Sequence, residues 1–467
     1  MTSTATGVGP RTHTNAIRCL VACALGSALG QTMVVPALPS IQERTSATET
    51  GVAAIMTWFL LVGAVSMPVS ARLGRKYGDR RVVLVLMTLY GLGSLVATLG
   101  IMAGSLLTIV VGRVIQGVSA GVIPLSFAII RKTAEPSRVG ASIVMVSSML
   151  ALGGAISLPI GGVVIDHLGV SWIFALSVLT GFGSAFAVAV LVPPSAREPD
   201  VRLDIPGALL LGIGLAALLL GLAHTAVAGW FAPTGGGLVL ISVVALVAWV
   251  PYELRVVSPL VNVRTLAHGV VLRTNVVTFF IGSAVFGTFF LLPLLLQIPV
   301  ENGGAGLSAT EAALVAVPVA VVNFAVSPVL GRMGTRRNFR LPVILGCVLG
   351  TLTLGLIAAA PANVPVIVTA ALIWGVAFAG GMAAISNLLV QVVDERQTAE
   401  VAGMNIIIRN VGAAVGTQVA ATMMDVVISN GGLPIRGAAA AFGAAAVICL
   451  AATAAAWFIP KATTQDA

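Results

Sequence analysis

Apolar runs of about twenty residues recur along the whole chain, separated by short polar segments, and each is long enough to cross the roughly 30 Å hydrocarbon core of a bilayer. The pattern predicts fourteen helices, near 17–38, 51–71, 82–103, 106–130, 139–165, 171–193, 205–228, 237–252, 271–297, 310–331, 341–360, 364–391, 399–428 and 437–459. The eighth run is short and glycine-rich at its start. Alternating ten-residue segments, the signature of a membrane barrel, are not seen. The N-terminus is polar up to Asn15 and then enters a span directly; the run is long and others follow, so it reads as an uncleaved first helix.

Composition agrees. The 467 residues are 58% hydrophobic and 9% charged, against about 25% charged in a soluble globule, and the mean hydropathy is +1.06. The chain reads as an all-α polytopic membrane protein. The net charge of +9 would hint at nucleic acid in a soluble chain. Here the cations sit between the apolar runs, which makes them a topology signal. Arg72, Arg75, Lys76, Arg80 and Arg81 crowd the segment after the second run. Arg131, Lys132, Arg138, Arg197, Arg202, Arg255, Arg264, Arg273, Arg332, Arg336, Arg337, Arg340 and Arg396 fall on the same side, and only Arg44 and Arg436 on the other. The positive-inside rule then places both termini in the cytoplasm. Lysine is confined to Lys76, Lys132 and Lys461; with abundant Ala, Gly and Val, this points to a GC-rich bacterial genome and so to a bacterial inner membrane. The four cysteines (Cys19, Cys23, Cys347, Cys449) all lie inside apolar runs and read as small packing residues, although Cys19 and Cys23 share a helix face.

The chain repeats itself. "MPVSARLGRKYGDRR" at 67–81 is echoed by "SPVLGRMGTRRNFR" at 327–340, aligning Pro68 with Pro328, Arg72 with Arg332 and Gly74 with Gly334. The offset leaves two apolar runs over between the copies, so the expected architecture is six plus two plus six, with pseudo-symmetric halves. The boundaries are a tail 1–16, a six-helix bundle 17–193, a linker with two extra helices 194–270, a second bundle 271–460 and a tail 461–467.

These motifs resemble the major facilitator superfamily, and within it the fourteen-span drug:proton antiporter branch. The 71–81 loop is similar to the family's G-x-x-x-D-R-x-G-R-R signature. "GRVIQG" resembles R-x-x-Q-G, "LGGAISLPIGG" an antiporter glycine-proline motif, "YELRVVSPLVNVRTL" an E-x-R-x-x-x-P-L segment, and "GMNIIIRNVGAAVG" a further signature. The resemblance implies a gating loop at Arg72, Gly74, Arg75, Lys76, Gly78, Asp79 and Arg80. It implies a proton or gating site in span four at Arg113, Gln116 and Gly117, and an antiporter element in span five at Gly153, Gly154, Pro159, Gly161 and Gly162.

Two departures stand out. Many family members carry an Asp in the first span; here "LGQTMVVPALP" has Gly30 at that position and Gln31 beside it. In the loop, acid and base have changed places, so that either Asp79 would supply the latching acid and Arg75 its exchanged cation, or Asp79 merely pairs with surface arginines for little gain.

Arg113 lies deep in a span, where a charge costs about 2.5–3.5 kcal/mol to insert, so it must face the interior and have partners. Either it relays protons or gates, or it anchors neighbouring carbonyls. Among polar residues in or near spans, Gln31, Gln297, Asn323, Asn405 and Arg409 are the expected substrate-pocket groups, with interhelical hydrogen bonding as the plain alternative. Asp166 and Asp425, near outer span ends, are the candidate proton carriers, or else solvated helix ends.

No P-loop, metal-ligating His/Cys set or G-x-S-x-G occurs, so neither an enzyme nor a cofactor is expected. The function expected is proton-driven export of a small amphipathic organic compound by a monomer whose partners are that substrate, protons and lipid, not nucleic acid. Uptake by the same fold is the nearest alternative, and a membrane enzyme acting on lipid-linked substrates or a membrane sensor more distant ones.

Overall fold

The computed structural model describes residues 10–47, 49–198, 200–201, 203–228, 233–307, 309–336, 340–394 and 397–459. Most of the terminal tails, together with Arg202, Arg337 and Arg396, lie outside them. The side chains of Pro159, Arg332, Gly334, Arg336 and Asp425, all in helices, are also outside the description.

The first half contains α1 (Pro10–Thr32), α2 (Leu38–Thr45), α3 (Glu49–Tyr77), α4 (Asp79–Met102), α5 (Leu106–Gly117), α6 (Val122–Thr133), α7 (Pro136–Leu168) and α8 (Ser171–Leu191). Then come α9 (Ile205–Ala228) and α10 (Pro233–Arg255). The second half follows with α11 (Val263–Ala267), α12 (Gly269–Gln297), α13 (Ala309–Arg336), α14 (Arg340–Ala359), α15 (Val364–Val392), α16 (Thr398–Ser429) and α17 (Pro434–Trp457). Thirteen segments among the described residues are long and apolar enough to cross a bilayer; α13, of 28 residues, occupies the tenth predicted position.

Two predicted spans differ in detail. The first stops at Thr32 and continues as a 3-10 turn, Val35–Ala37, and then α2, because Pro36 and Pro39 withhold donors from a continuing ladder. The fourth is interrupted by a 3-10 turn at Val118–Gly121. Pro124, just inside α6, lacks the N–H that would bond back across that turn.

The repeat is visible in the packing. In the first half α1 packs on α7, α4 on α8 and on α5, and α3 on α5. In the second half α12 packs on α16, α14 on α17 and on α15, and α13 on α15, which is the same set of pairs one repeat later. The halves meet where α7 contacts α13 and α15, and where α16 contacts α3 and α6. The insertion, α9 and α10, is not peripheral: Leu211, Leu215 and Trp249 join the buried core of the first half. Helix association in lipid depends on close packing. A Cβ on Gly112 of α5 would lie 2.6 Å from Ala97 N and Gly93 O of α4.

Candidate functional site

Arg113 is fully buried in α5. Its Nη1 donates to Gly30 O at 2.8 Å and to Gln116 Oε1 at 3.0 Å, its Nη2 to Gln31 O at 3.2 Å, and its Nε to Ile55 O at 3.2 Å. The guanidinium also lies 4.2 Å from the Phe59 ring centroid. Gln116 continues the chain of bonds to Ser94 Oγ at 2.6 Å, and Ser94 to Tyr90 O at 2.7 Å. The guanidinium therefore fastens α5 to α1 and α3 through backbone carbonyls, each a full hydrogen-bond acceptor. Gly117 allows that approach, since a Cβ there would lie 2.7 Å from Phe59 O.

The first-span position that lacks an acid is explained by Tyr90. Its fully buried side chain fills the space beside Gly30, where any Cβ would overlap the hydroxyl and lie 2.7 Å from the ring carbon bearing it. The Gln31 side chain is half-buried, and its role in this arrangement belongs to its carbonyl.

The gating loop is the short turn between α3 and α4. Gly78 adopts φ +93°, which favours glycine, and this turn places Asp79 in the first turn of α4. Asp79 is buried and pairs with Lys132 Nζ of α6 at 2.8 Å. Arg75 pairs instead with Glu198 at 2.8 Å, in the segment leading to the insertion. The expected exchanged partnership of Asp79 with Arg75 is thus replaced by two separate pairs. The turn sends Asp79 under the end of α6, while Arg75 at the end of α3 faces residues 195–198. Gly74 leaves room for this, as a Cβ would lie 2.5 Å from Asp79 Oδ1. Arg80 donates to Ala189 O, and its backbone N–H to Ser195 Oγ at 3.2 Å. Lys76 stacks over Tyr77 at 5.5 Å.

On the same face Arg72 is buried and donates to Leu260 O at 3.2 Å, and Arg131 of α6 reaches Val390 O and Thr398 Oγ1 of the second half. Sequence reasoning passed over two buried acids here, Asp204 and Glu400, and gave no role to a third, Glu253, the acid of the E-x-R-x-x-x-P-L segment. One signal was available. Asp204 caps α9, accepting from Gly207 N at 2.9 Å, and an Asp just before an apolar run followed by Pro206 is a helix-start pattern.

At the seam, Asn405 of α16 donates to Asn275 Oδ1 at 2.9 Å and Thr278 Oγ1 at 2.8 Å of α12. Asn405 and Arg409 line a cavity of about 10 Å³ with Ser147 of α7 and Ser386 of α15, at the lower limit for one water. Among the described residues, Arg409 Nε and Ser147 Oγ of this lining have no hydrogen-bond partner, nor do the side-chain polar atoms of the buried Asn387 elsewhere in α15. Two other expected pocket residues are not brought to this place. Asn323 ties α13 to α15 through Gly375 O at 3.2 Å. Gln297 is exposed at the end of α12, bonded to Pro293 O of its own helix at 3.0 Å.

In α7, Gly153 and Gly161 pack on α1 and the turn after it: Cβ atoms would lie 2.6 Å from Ala28 Cβ and 2.7 Å from Met33 O. Gly154 and Gly162 face open space. Asp166 is exposed in the last turn of α7, and Asp425 lies in the last turns of α16.

Fold and seam can be set beside known proteins. The Major Facilitator Superfamily model matches residues 20–417. This chain belongs to that superfamily. A "Multidrug resistance protein B homolog" of Mycobacterium tuberculosis is 27% identical over 429 residues, 87% of this chain and 76% of the relative. The "Tetracenomycin C resistance and export protein" of Streptomyces glaucescens is 28% identical over 419 residues, 87% and 75%. Among solved structures, the human organic anion transporter MFSD10 superposes with a TM-score of 0.69 at 16% identity, covering 96% of this chain and all of that one. The proton:xylose symporter XylE gives 0.64 at 14%, covering 98% of each. At those identities the likeness is one of fold. The superfamily member described here is a multi-pass transporter rather than an enzyme.

Proposed function

We propose that this transporter exports small amphipathic organic compounds by proton antiport, with the two six-helix halves rocking about a site at their seam. The observation that carries the reading is the seam itself. Among the described residues Arg409 Nε and Ser147 Oγ are buried without a hydrogen-bond partner, and both residues line the cavity between the repeat-related halves, beside Phe127, Leu389, Ala402 and Ile406. A few placed polar groups among apolar walls suit an amphipathic ligand. Rocking about a midplane site is how repeat-built transporters alternate access.

Export rather than uptake is favoured by the glycine-rich α7 at the seam and by the resistance and export names of the curated relatives. In this reading the loop-rich basic face is cytoplasmic, the membrane is a bacterial inner membrane, and the working unit is a monomer. Asp166 and Asp425 are the proton carriers from the far face, and Arg113 holds the span that moves with them. Proton binding must favour one orientation over the other to drive anything.

The test is accumulation of amphipathic dyes and antibiotics in an efflux-deficient bacterium. Expression should lower accumulation, and a protonophore should restore it. Raised accumulation would favour uptake instead.

A further inference from the structure

Asp204 and Glu253 stand at the ends of the two inserted helices, on the basic face. They are 7% and 2% exposed. Each has one satisfied oxygen. Asp204 Oδ1 accepts from Gly207 N at 2.9 Å and from Tyr252 Oη at 3.0 Å, and Glu253 Oε1 accepts from Val261 N at 2.6 Å. The second oxygens, Asp204 Oδ2 and Glu253 Oε2, are buried and have no partner among the described residues. Both face the same spot: a Cβ on Gly207 would overlap Oδ2 and lie 3.0 Å from Oε2. The two carboxyls are within hydrogen-bond reach of each other.

Two ionised carboxylates this close repel strongly when removed from water, whereas a single proton between them removes one charge and gives both empty oxygens a bond. We propose that Asp204 and Glu253 hold one proton between them, and that this proton clasps the two inserted helices to each other where Glu253 meets the segment on which both halves of the transporter close. That segment is Leu260–Val261–Asn262. Arg72 of the first half binds the Leu260 carbonyl, Glu253 of the insertion binds the Val261 amide, and Glu400 of the second half binds the Asn262 amide. Three parts of the molecule thus grip three successive residues.

The charged and titratable groups around the pair are Arg72 and Arg75 from α3, Glu400 from α16 and Tyr252 from α10, with Glu198 on Arg75. Burial pushes the Asp204 carboxyl up in pKa, but hydrogen bonds from Glu253, the Gly207 amide and Tyr252 hold it below the ordinary carboxylate value. The proton therefore rests on Glu253 and is donated to Asp204 Oδ2. When the basic face turns alkaline, the proton leaves to water there and the two carboxylates repel, which parts the ends of α9 and α10 while the Val261 amide holds the ionised Glu253. The insertion is then a proton-sensing element, whatever the substrate and its direction, so this inference stands apart from the export reading.

The test is an infrared pH titration of the purified protein in lipid nanodiscs, which needs no transport assay. The wild type should show a protonated-carboxyl C=O band at neutral pH that disappears on alkalinisation. Glu253→Gln should lack that band and Glu400→Gln should keep it. Tyr252→Phe removes one donor from the ionised Asp204, so its midpoint should move to higher pH, corresponding to about two- to tenfold tighter proton binding. Absence of the band in the neutral wild type, or its survival in Glu253→Gln, would overturn the proposal. Should Glu253→Gln not fold, an unshifted midpoint in Tyr252→Phe would do the same.

Discussion

Tyr90 occupies the space that a side chain at Gly30 would need. The hydroxyl stands where a Cβ would be built, and the neighbouring carbonyl of Gly30 is bonded to Arg113 at 2.8 Å. An acid at position 30 and a tyrosine at position 90 are mutually exclusive in this packing. The guanidinium is consequently balanced by carbonyl dipoles and by Gln116 rather than by a first-span carboxylate.

Gly30→Asp should therefore destabilise the protein even though it restores a residue common in the family. Overpacking of a close-packed core costs about 1–3 kcal/mol, and a buried carboxylate adds to that. Tyr90→Ala in the same chain should recover much of the loss, because it removes the overlap and leaves Arg113 within reach of the new acid. Thermal unfolding in detergent of the two single variants and the double reads the coupling, and additive effects would deny the overlap.

Arg113→Ala should insert but not transport. It leaves the carbonyls of Gly30 and Gln31, at the C-terminal end of α1, without their donor, at about 1–3 kcal/mol for each buried acceptor left empty, while Ile55 O keeps its helical bond. Arg113→Lys should rescue poorly, since one ammonium cannot span acceptors on two helices as the planar fork does. Membrane fractionation beside a dye-efflux assay separates insertion from function, and wild-type efflux by the Ala variant would reduce Arg113 to packing.

The helices and their repeat were legible because apolar length and loop cations are local properties of the chain. So was the need of Arg113 for partners, since a buried charge demands them. The identity of partners was not legible. Asp79 lies 53 positions from Lys132 in sequence, and nothing local distinguishes Lys132 from Arg75 as its counter-charge. The 3-10 turn before Pro124 sits in a run whose hydropathy does not change. Nothing local in the sequence pairs Asp204 with Glu253, which only the fold sets against each other.

The loop pairs give a charge-swap test. Asp79→Asn and Lys132→Ala should each weaken transport; breaking a buried pair costs about 3 kcal/mol, less here because Lys132 is partly exposed. Asp79→Lys with Lys132→Asp should transport better than Asp79→Lys alone. The exchange Arg75→Asp with Asp79→Arg should help little, because Arg75 belongs to Glu198. Equal rescue by both exchanges would contradict the assignment.

Topology is accessible to labelling. Tyr77 is exposed on the basic face, and Glu301 is exposed on the opposite one. All four native cysteines are buried, so background should be low. In intact cells an impermeant thiol reagent should label Glu301→Cys and spare Tyr77→Cys; the reverse would invert the assigned orientation.

The most direct test of the export reading is proton exchange itself. Proteoliposomes carrying an imposed pH gradient are given a compound that the cells export, and the gradient is followed with an internal pH dye. Antiport predicts that the compound collapses the gradient with the wild type and leaves it intact with Arg113→Ala. Movement of the compound through the wild type with the gradient untouched would contradict proton antiport.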